Sequence, residues 1–189
     1  MTNMVGLIKQ PGRDGSISPP KYNHQFLSIK MKHFELTSHS STETHLFGKQ
    51  IGRMAFPGDI FLLVGSLGTG KTCLAQGIAR GLDIQEYTPS PSFVLIREFN
   101  GRLPMYHIDL YRLDYIEEIA DLGLDDYLYG KGVCVIEWAE KGLSLISSEY
   151  LMIKIKHLGD NERHFEFIPC SRHYTEIINK LKGGKSECI

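Results

Sequence analysis

A chain of 189 residues, 42% hydrophobic and 23% charged, has the length of one domain and enough apolar residues to bury a sizeable core. Its formal net charge of −1 provides no global basic field for binding nucleic acid by bulk charge. Four dispersed cysteines without a C-x-x-C pair suit reduced thiols rather than a disulfide framework. No apolar run approaches the ~18 residues of a membrane-spanning helix, so a cytoplasmic protein with no membrane partner is expected.

Residues 1–32 are broken by Gly6, Pro11, Gly12, Gly15, Pro19 and Pro20, and read as an N-terminal extension outside the core. Met31 stands directly before the first strand-like run, Phe34–Thr37, and is a candidate natural start. The core domain is expected over 33–183, with 184–189 as a frayed tail. Ser40 and Glu43 have capping-box spacing and open a helix to about Met54, with Phe47, Ile51 and Met54 on its inner face. Pro57-Gly58-Asp59 is a turn.

The apolar strand Ile60–Val64 then runs into Gly65-Ser66-Leu67-Gly68-Thr69-Gly70-Lys71-Thr72. The spelling is that of a phosphate-binding loop: a glycine, four residues, then Gly-Lys-Thr. Glycines let backbone N–H groups turn inward around an anion, and a helix starting at Lys71 adds its free N–H groups and dipole. Lys71 is expected to face solvent and reach the β- and γ-phosphates, while Thr72 holds Mg²⁺. The nucleotide contacts are expected to extend through Cys73. Leu74, Ala75, Ile78, Ala79 and Leu82 keep a helical period, with Gly81 as the left-handed cap. Neither D-x-x-G nor N-K-x-D, the GTPase patterns, occurs, so ATP is the expected nucleotide.

Thr88-Pro89-Ser90-Pro91-Ser92-Phe93 is stiffened by two prolines and presents hydroxyls where switch segments of nucleotidases commonly lie. Phe93–Phe99 and Leu103–Ile108 read as strands joined by a hairpin turn at Asn100-Gly101. The second ends in Asp109. One helix is expected through Ile116, Ile119, Ala120, Leu124 and Tyr127. The apolar strand Val133–Ile136 ends in Glu137-Trp138. A phosphate-binding loop needs a carboxylate near its metal, and ligands of open α/β sheets lie beyond the carboxyl ends of the strands. Asp109 and Glu137 are therefore the candidate metal-organising and catalytic acids. His107 reads as a packed histidine, and Trp138 either packs or faces the nucleotide. Leu151–Lys156 and His164–Ile168 alternate as half-exposed strands, and a final helix buries Tyr174, Ile177, Ile178 and Leu181. The expected fold is α/β: a mostly parallel P-loop NTPase-type sheet flanked by helices, with antiparallel hairpin additions.

The ordered series Gly65–Thr72, Ser90-Pro91-Ser92-Phe93, His107-Ile108-Asp109-Leu110-Tyr111-Arg112-Leu113 and Ile136-Glu137-Trp138 resembles the TsaE (YjeE-type) family of small bacterial P-loop ATPases. The resemblance covers about Phe34 to Phe167. It implies that Lys71 and Thr72 hold phosphate and Mg²⁺, that Asp109 and Glu137 are catalytic and metal-organising, and that Trp138 lies near the nucleotide. Threonine is usual in that family where Ser92 stands here, so the hydroxyl is kept and a methyl lost. The family implies a slow, Mg-dependent ATPase that works with two proteins transferring a threonylcarbamoyl group to tRNA. Hydrolysis there resets the complex, and contact with tRNA is indirect; weak self-association is compatible with it. Two other functions fit the same loop. A small-molecule kinase would normally bring an Arg-rich lid, and the short acidic helix after Asp109 argues against one. A nucleotide-dependent binding switch with little turnover uses the same residues.

Overall fold

The computed structural model describes residues 33–183. The extension expected over 1–32, the tail at 184–189 and Cys188 lie outside these residues.

Strand β1 (Phe34–Ser38) leads into helix α1 (Ser41–Met54). The Glu43 N–H donates to Ser40 Oγ at 3.1 Å, and the Glu43 carboxylate accepts from the His39 N–H, one residue before the cap, at 2.7 Å. These bonds satisfy backbone donors that the helix start leaves open. Phe47 and Ile51 are buried, and Met54 packs half-buried against the same core. The turn at Pro57-Gly58, with Gly58 at φ 85, closes through the Asp59 N–H to the Phe56 carbonyl and delivers β2 (Ile60–Val64). After the loop comes α2 (Lys71–Gly81), then β3 (Ile96–Phe99) and β4 (Met105–Asp109). Two short helices follow, α3 (Ile116–Ala120) and α4 (Asp125–Leu128). Next are β5 (Val133–Glu137), β6 (Leu151–His157), β7 (Arg163–Pro169) and α5 (Arg172–Gly183).

The strands form one seven-stranded sheet in the order β1-β7-β6-β2-β5-β4-β3. The four central strands, β6, β2, β5 and β4, are parallel, and both edges are antiparallel. This is the mixed α/β sheet with antiparallel additions expected above. Both faces of β2 and β5 are covered, as parallel strands require. Phe61, Leu63, Val133 and Val135 point to the face carrying α1, α2 and α5. Ile60, Leu62, Cys134 and Ile136 point to the face carrying α3 and α4. In β6 and β7 burial alternates residue by residue, leaving one polar face. Cys73, Cys134 and Cys170 are free thiols.

Four local expectations need correction. Gly81 is not a left-handed cap; the left-handed residue is Asp83, φ 62. The Ile84 N–H donates to Ala79 O at 3.1 Å and the Asp83 N–H to Arg80 O at 3.3 Å, the two bonds of a Schellman ending with Asp83 in the glycine position. Gly81 serves helix packing instead: a Cβ there would strike the Lys49 carbonyl and lie 2.7 Å from the Arg53 nitrogen. The strand does not begin at Phe93. Val94 and Leu95 turn back with their N–H groups on the Pro91 carbonyl, Leu95 sits at φ 66, and pairing starts at Ile96. Nor is Asn100-Gly101 a two-residue turn. Phe99 pairs with Met105, and the longer connection is held by the Arg102 N–H on the Leu82 carbonyl at 2.8 Å. The helix expected after Asp109 is divided, with Gly123 at φ 66 between the halves. Ile119, Leu124 and Leu128 reach the core, while Ile116 stays exposed.

The close contact of α1 and α2 gives a direct test. A Cβ at Gly77 would strike the His45 carbonyl and lie 2.9 Å from the Gly48 Cα, all backbone that cannot rotate away. Alanine favours a helix over glycine by ~1 kcal/mol, but overpacking costs about 1–3 kcal/mol. Gly77→Ala is expected to lower the urea midpoint, and an unchanged or higher midpoint would contradict this packing.

Candidate functional site

The site lies where β2, β4 and β5 end. In a parallel pair, residues at matched register and two apart on one strand share a face. Asp109 pairs with Glu137 and His107 with Val135, so Asp109, Glu137 and His107 all point to the face on which α2 begins. The loop 65–70 crosses above them. Gly70 is the residue before α2 and sits at φ 104, a conformation that favours glycine. No side chain caps α2, and its first turn carries no acid, so the helix presents open N–H donors to whatever lies in the loop.

Lys71 is not solvent-facing, contrary to expectation: only 4% of it is exposed. Its Nζ donates to the carbonyls of Gly65 at 2.6 Å and Ser66 at 2.9 Å, and lies 3.8 Å from the centroid of the Trp138 ring. Burial pulls its pKa down, against the opposing pull of Glu137, Glu140 and Asp109. Trp138 therefore covers the lysine, and Tyr111 covers Trp138 with ring centroids 5.0 Å apart. Trp138 adopts φ 58, a strained conformation for a bulky residue.

The two acids are held differently. Thr72 Oγ1 donates to Glu137 Oε2 at 3.0 Å, and His107 Nε2 lies 2.9 Å from Glu137 Oε1. Asp109 Oδ2 accepts from Ser90 Oγ at 2.5 Å and Ser92 Oγ at 2.6 Å, while Oδ1 accepts from the Tyr111 N–H at 2.9 Å. The proline-stiffened loop is thus pinned to one strand-end acid and the helix start to the other.

These groups line a cleft of about 430 Å³. Lys71, Thr72, Ser92, Asp109, Glu137 and Trp138 meet there, together with Leu67, Gly68 and Gly70 of the loop. Gly65, Ser66 and Thr69 are not among its walls; Thr69 Oγ1 ties the loop together through the Ser66 carbonyl at 2.9 Å. The Cys73 side chain turns away, donating to the Ser41 carbonyl at 3.2 Å. Four contributors were not among the site residues expected from the sequence. Ser90 shares Asp109 with Ser92, and His107 is fully buried beside Glu137. Phe93 and Arg112 form the rim, the guanidinium 4.1 Å from the ring centroid. The two-residue spacings Ser90–Ser92 and His107–Asp109 were the available signals.

The donor set fits a hard cation and an anion. The hydroxyl of Thr72 and the carboxylates offer only oxygen, as Mg²⁺ prefers. Among the described residues no group of three or more His, Cys, Asp or Glu side chains could hold a metal by itself. Waters and phosphate oxygens would complete the shell of such a cation, and the uncapped α2 start and glycine cradle offer a place for the phosphate.

A strand, a glycine loop and a helix of this form, beside a parallel strand ending in an acid, define a P-loop NTPase-type fold. The family model described as "Threonylcarbamoyl adenosine biosynthesis protein TsaE" matches residues 38–165, and the chain belongs to that family. Among its relatives is the tRNA threonylcarbamoyladenosine biosynthesis protein TsaE of Bacillus subtilis, 40% identical over 152 residues, covering 80% of this chain and 95% of the relative. The protein of that name from Treponema pallidum is 41% identical over 126 residues, covering 67% and 93%. The crystal structure of Bacillus subtilis YdiB superposes with a TM-score of 0.71 at 36% identity, covering 82% of this chain and 97% of that one. No helix among the described residues is long and apolar enough to cross a membrane.

Proposed function

We propose that this chain is a Mg-dependent ATPase of tRNA threonylcarbamoyladenosine modification, whose hydrolysis resets a complex with the two proteins that transfer the threonylcarbamoyl group. The observation that carries the ATPase reading is the Thr72–Glu137 bond at 3.0 Å beside Asp109, which joins the loop's hydroxyl to a strand-end acid. The pathway assignment rests on the family and on the names of its relatives.

Lys71, Thr72 and the N–H groups at the start of α2 would hold the triphosphate, with Thr72, Glu137 and Asp109 around the metal. Bound Mg²⁺ would neutralise charge on the phosphate oxygens. Glu137, bonded to Thr72, would accept a proton from an attacking water or orient it. Asp109 ties the 88–93 loop to the same centre, so a change in charge there is felt by Ser90 and Ser92. Phe93 at the end of that loop and Val94 directly after it are exposed, which suits a surface that reports nucleotide state to a partner.

A reconstituted tRNA-modification assay tests the reading. With wild-type protein, repeated turnover of the transfer proteins is expected; with Glu137→Gln, a single round. Equal repeated turnover with both would overturn the reset role. Rapid ATP-dependent phosphorylation of a small metabolite by this chain alone would point to a kinase instead.

A further inference from the structure

Glu137 has two oxygens with separate partners, and one of those partners lies outside the cleft. Thr72 faces the nucleotide region from the loop side. His107 approaches Glu137 from within the sheet; it is fully buried and lines no part of the cleft. Its Nε2 lies 2.9 Å from Glu137 Oε1, with the side chain of Glu137 itself only 3% exposed. An ionised carboxylate can only accept hydrogen bonds, so Nε2 must carry the hydrogen. The other ring nitrogen, Nδ1, is buried with no partner among the described residues. A buried polar atom left unpaired is unfavourable, so packing alone gives no reason for a histidine here. Leucine or phenylalanine would fill the space without an unpaired Nδ1, but would leave the buried Glu137 Oε1 without its partner.

The geometry points to His107 as a positioning residue for Glu137. Its Nε2–H holds Oε1 and thereby turns Oε2 towards Thr72, the hydroxyl that would share the metal. This is how outer partners commonly orient a metal-site carboxylate. The contact depends on sheet register: His107 is two residues before Asp109, which is directly opposite Glu137. One strand therefore supplies both an acid of the site and the group that aims the other acid.

The inference rests on the nucleotide reading of the site, so its test has an arm independent of turnover. Trp138, the only tryptophan, directly follows Glu137 and covers Lys71, so its fluorescence is expected to change on nucleotide and Mg²⁺ binding. Compared with wild type, His107→Phe is expected to lower kcat by about 10- to 100-fold and to raise the half-saturating Mg²⁺ for the ADP-dependent fluorescence change similarly, the usual range for a lost outer partner. KM for ATP should shift less than about threefold, since no phosphate ligand is removed. His107→Gln, whose amide nitrogen reaches about as far as Nε2, should restore most of both losses. In the nucleotide-free wild type, ¹⁵N NMR should find the ring hydrogen on Nε2. A hydrogen on Nδ1, or wild-type Mg²⁺ dependence in His107→Phe, would overturn the inference. So would equal loss in the Phe and Gln variants accompanied by equal loss of melting temperature, which would mark His107 as packing. A wild-type chain that binds Mg·ADP but never hydrolyses ATP would overturn the ATPase reading, while the Mg²⁺ titration and the NMR would still decide the role of His107.

Discussion

Replacing Lys71 with alanine is expected to lower ATP affinity by roughly ten- to a hundredfold, since a hydrogen bond from a charged group is worth about 1.5–3 kcal/mol. Hydrolysis should fall at least as far. The lysine is buried beneath Trp138 and satisfies the Gly65 and Ser66 carbonyls. Its loss therefore also removes the tie across the loop, and a modest drop in melting temperature should accompany the loss of binding. The separation is measured by isothermal titration with ATP alongside thermal unfolding. Unchanged affinity and hydrolysis in Lys71→Ala would remove the phosphate-site assignment.

Glu137→Gln and Asp109→Asn should behave in the opposite sense, losing turnover while retaining most nucleotide binding. Both changes preserve shape and remove charge from the place where metal and water are organised. The loss expected for an acid–base or electrostatic group is roughly 10²-fold or more in kcat. The two should differ in their side effects. Glu137 is fastened to Thr72 and His107, so its amide disturbs the metal side of the site. Asp109 accepts from Ser90, Ser92 and the Tyr111 N–H, so its amide should loosen the 88–93 loop as well. Limited proteolysis should cut that loop faster in Asp109→Asn than in Glu137→Gln. If both variants hydrolyse ATP like the parent, the strand-end acids are structural.

The amino-acid sequence by itself determined those parts of the protein whose physics is local. The phosphate-loop motif is a run of eight consecutive residues, and its strand and helix declare themselves by apolar period on either side. Strands β2, β4 and β5 were legible as short apolar runs, and Asp109 and Glu137 as acids at their ends. Even the capping of α1 was written within five residues, from His39 to Glu43. Where local signals competed with packing, they misled. Gly81 has the composition of a cap, but α1 lies against it, and the Schellman ending falls on Asp83 two residues later. Phe93 to Leu95 look like strand residues, but the Pro91 carbonyl draws the N–H groups of Val94 and Leu95 into a turn.

Only the tertiary structure decided how the site is assembled, because its decisive bonds join segments far apart in the chain. Nothing in the run from Met105 to Asp109 states that it will lie in register with Val133 to Glu137. Yet that register sets Asp109 opposite Glu137 and puts His107 within hydrogen-bonding distance of its carboxylate. The same holds for Ser90 on Asp109, and for Trp138 over Lys71, 67 positions earlier in the numbering. A side chain's type and local spacing specify which face of an element it takes. Which partner it meets on that face is set by the order, direction and register of strands, and these follow from burying both faces of β2 and β5 and one face of β6 and β7 at once.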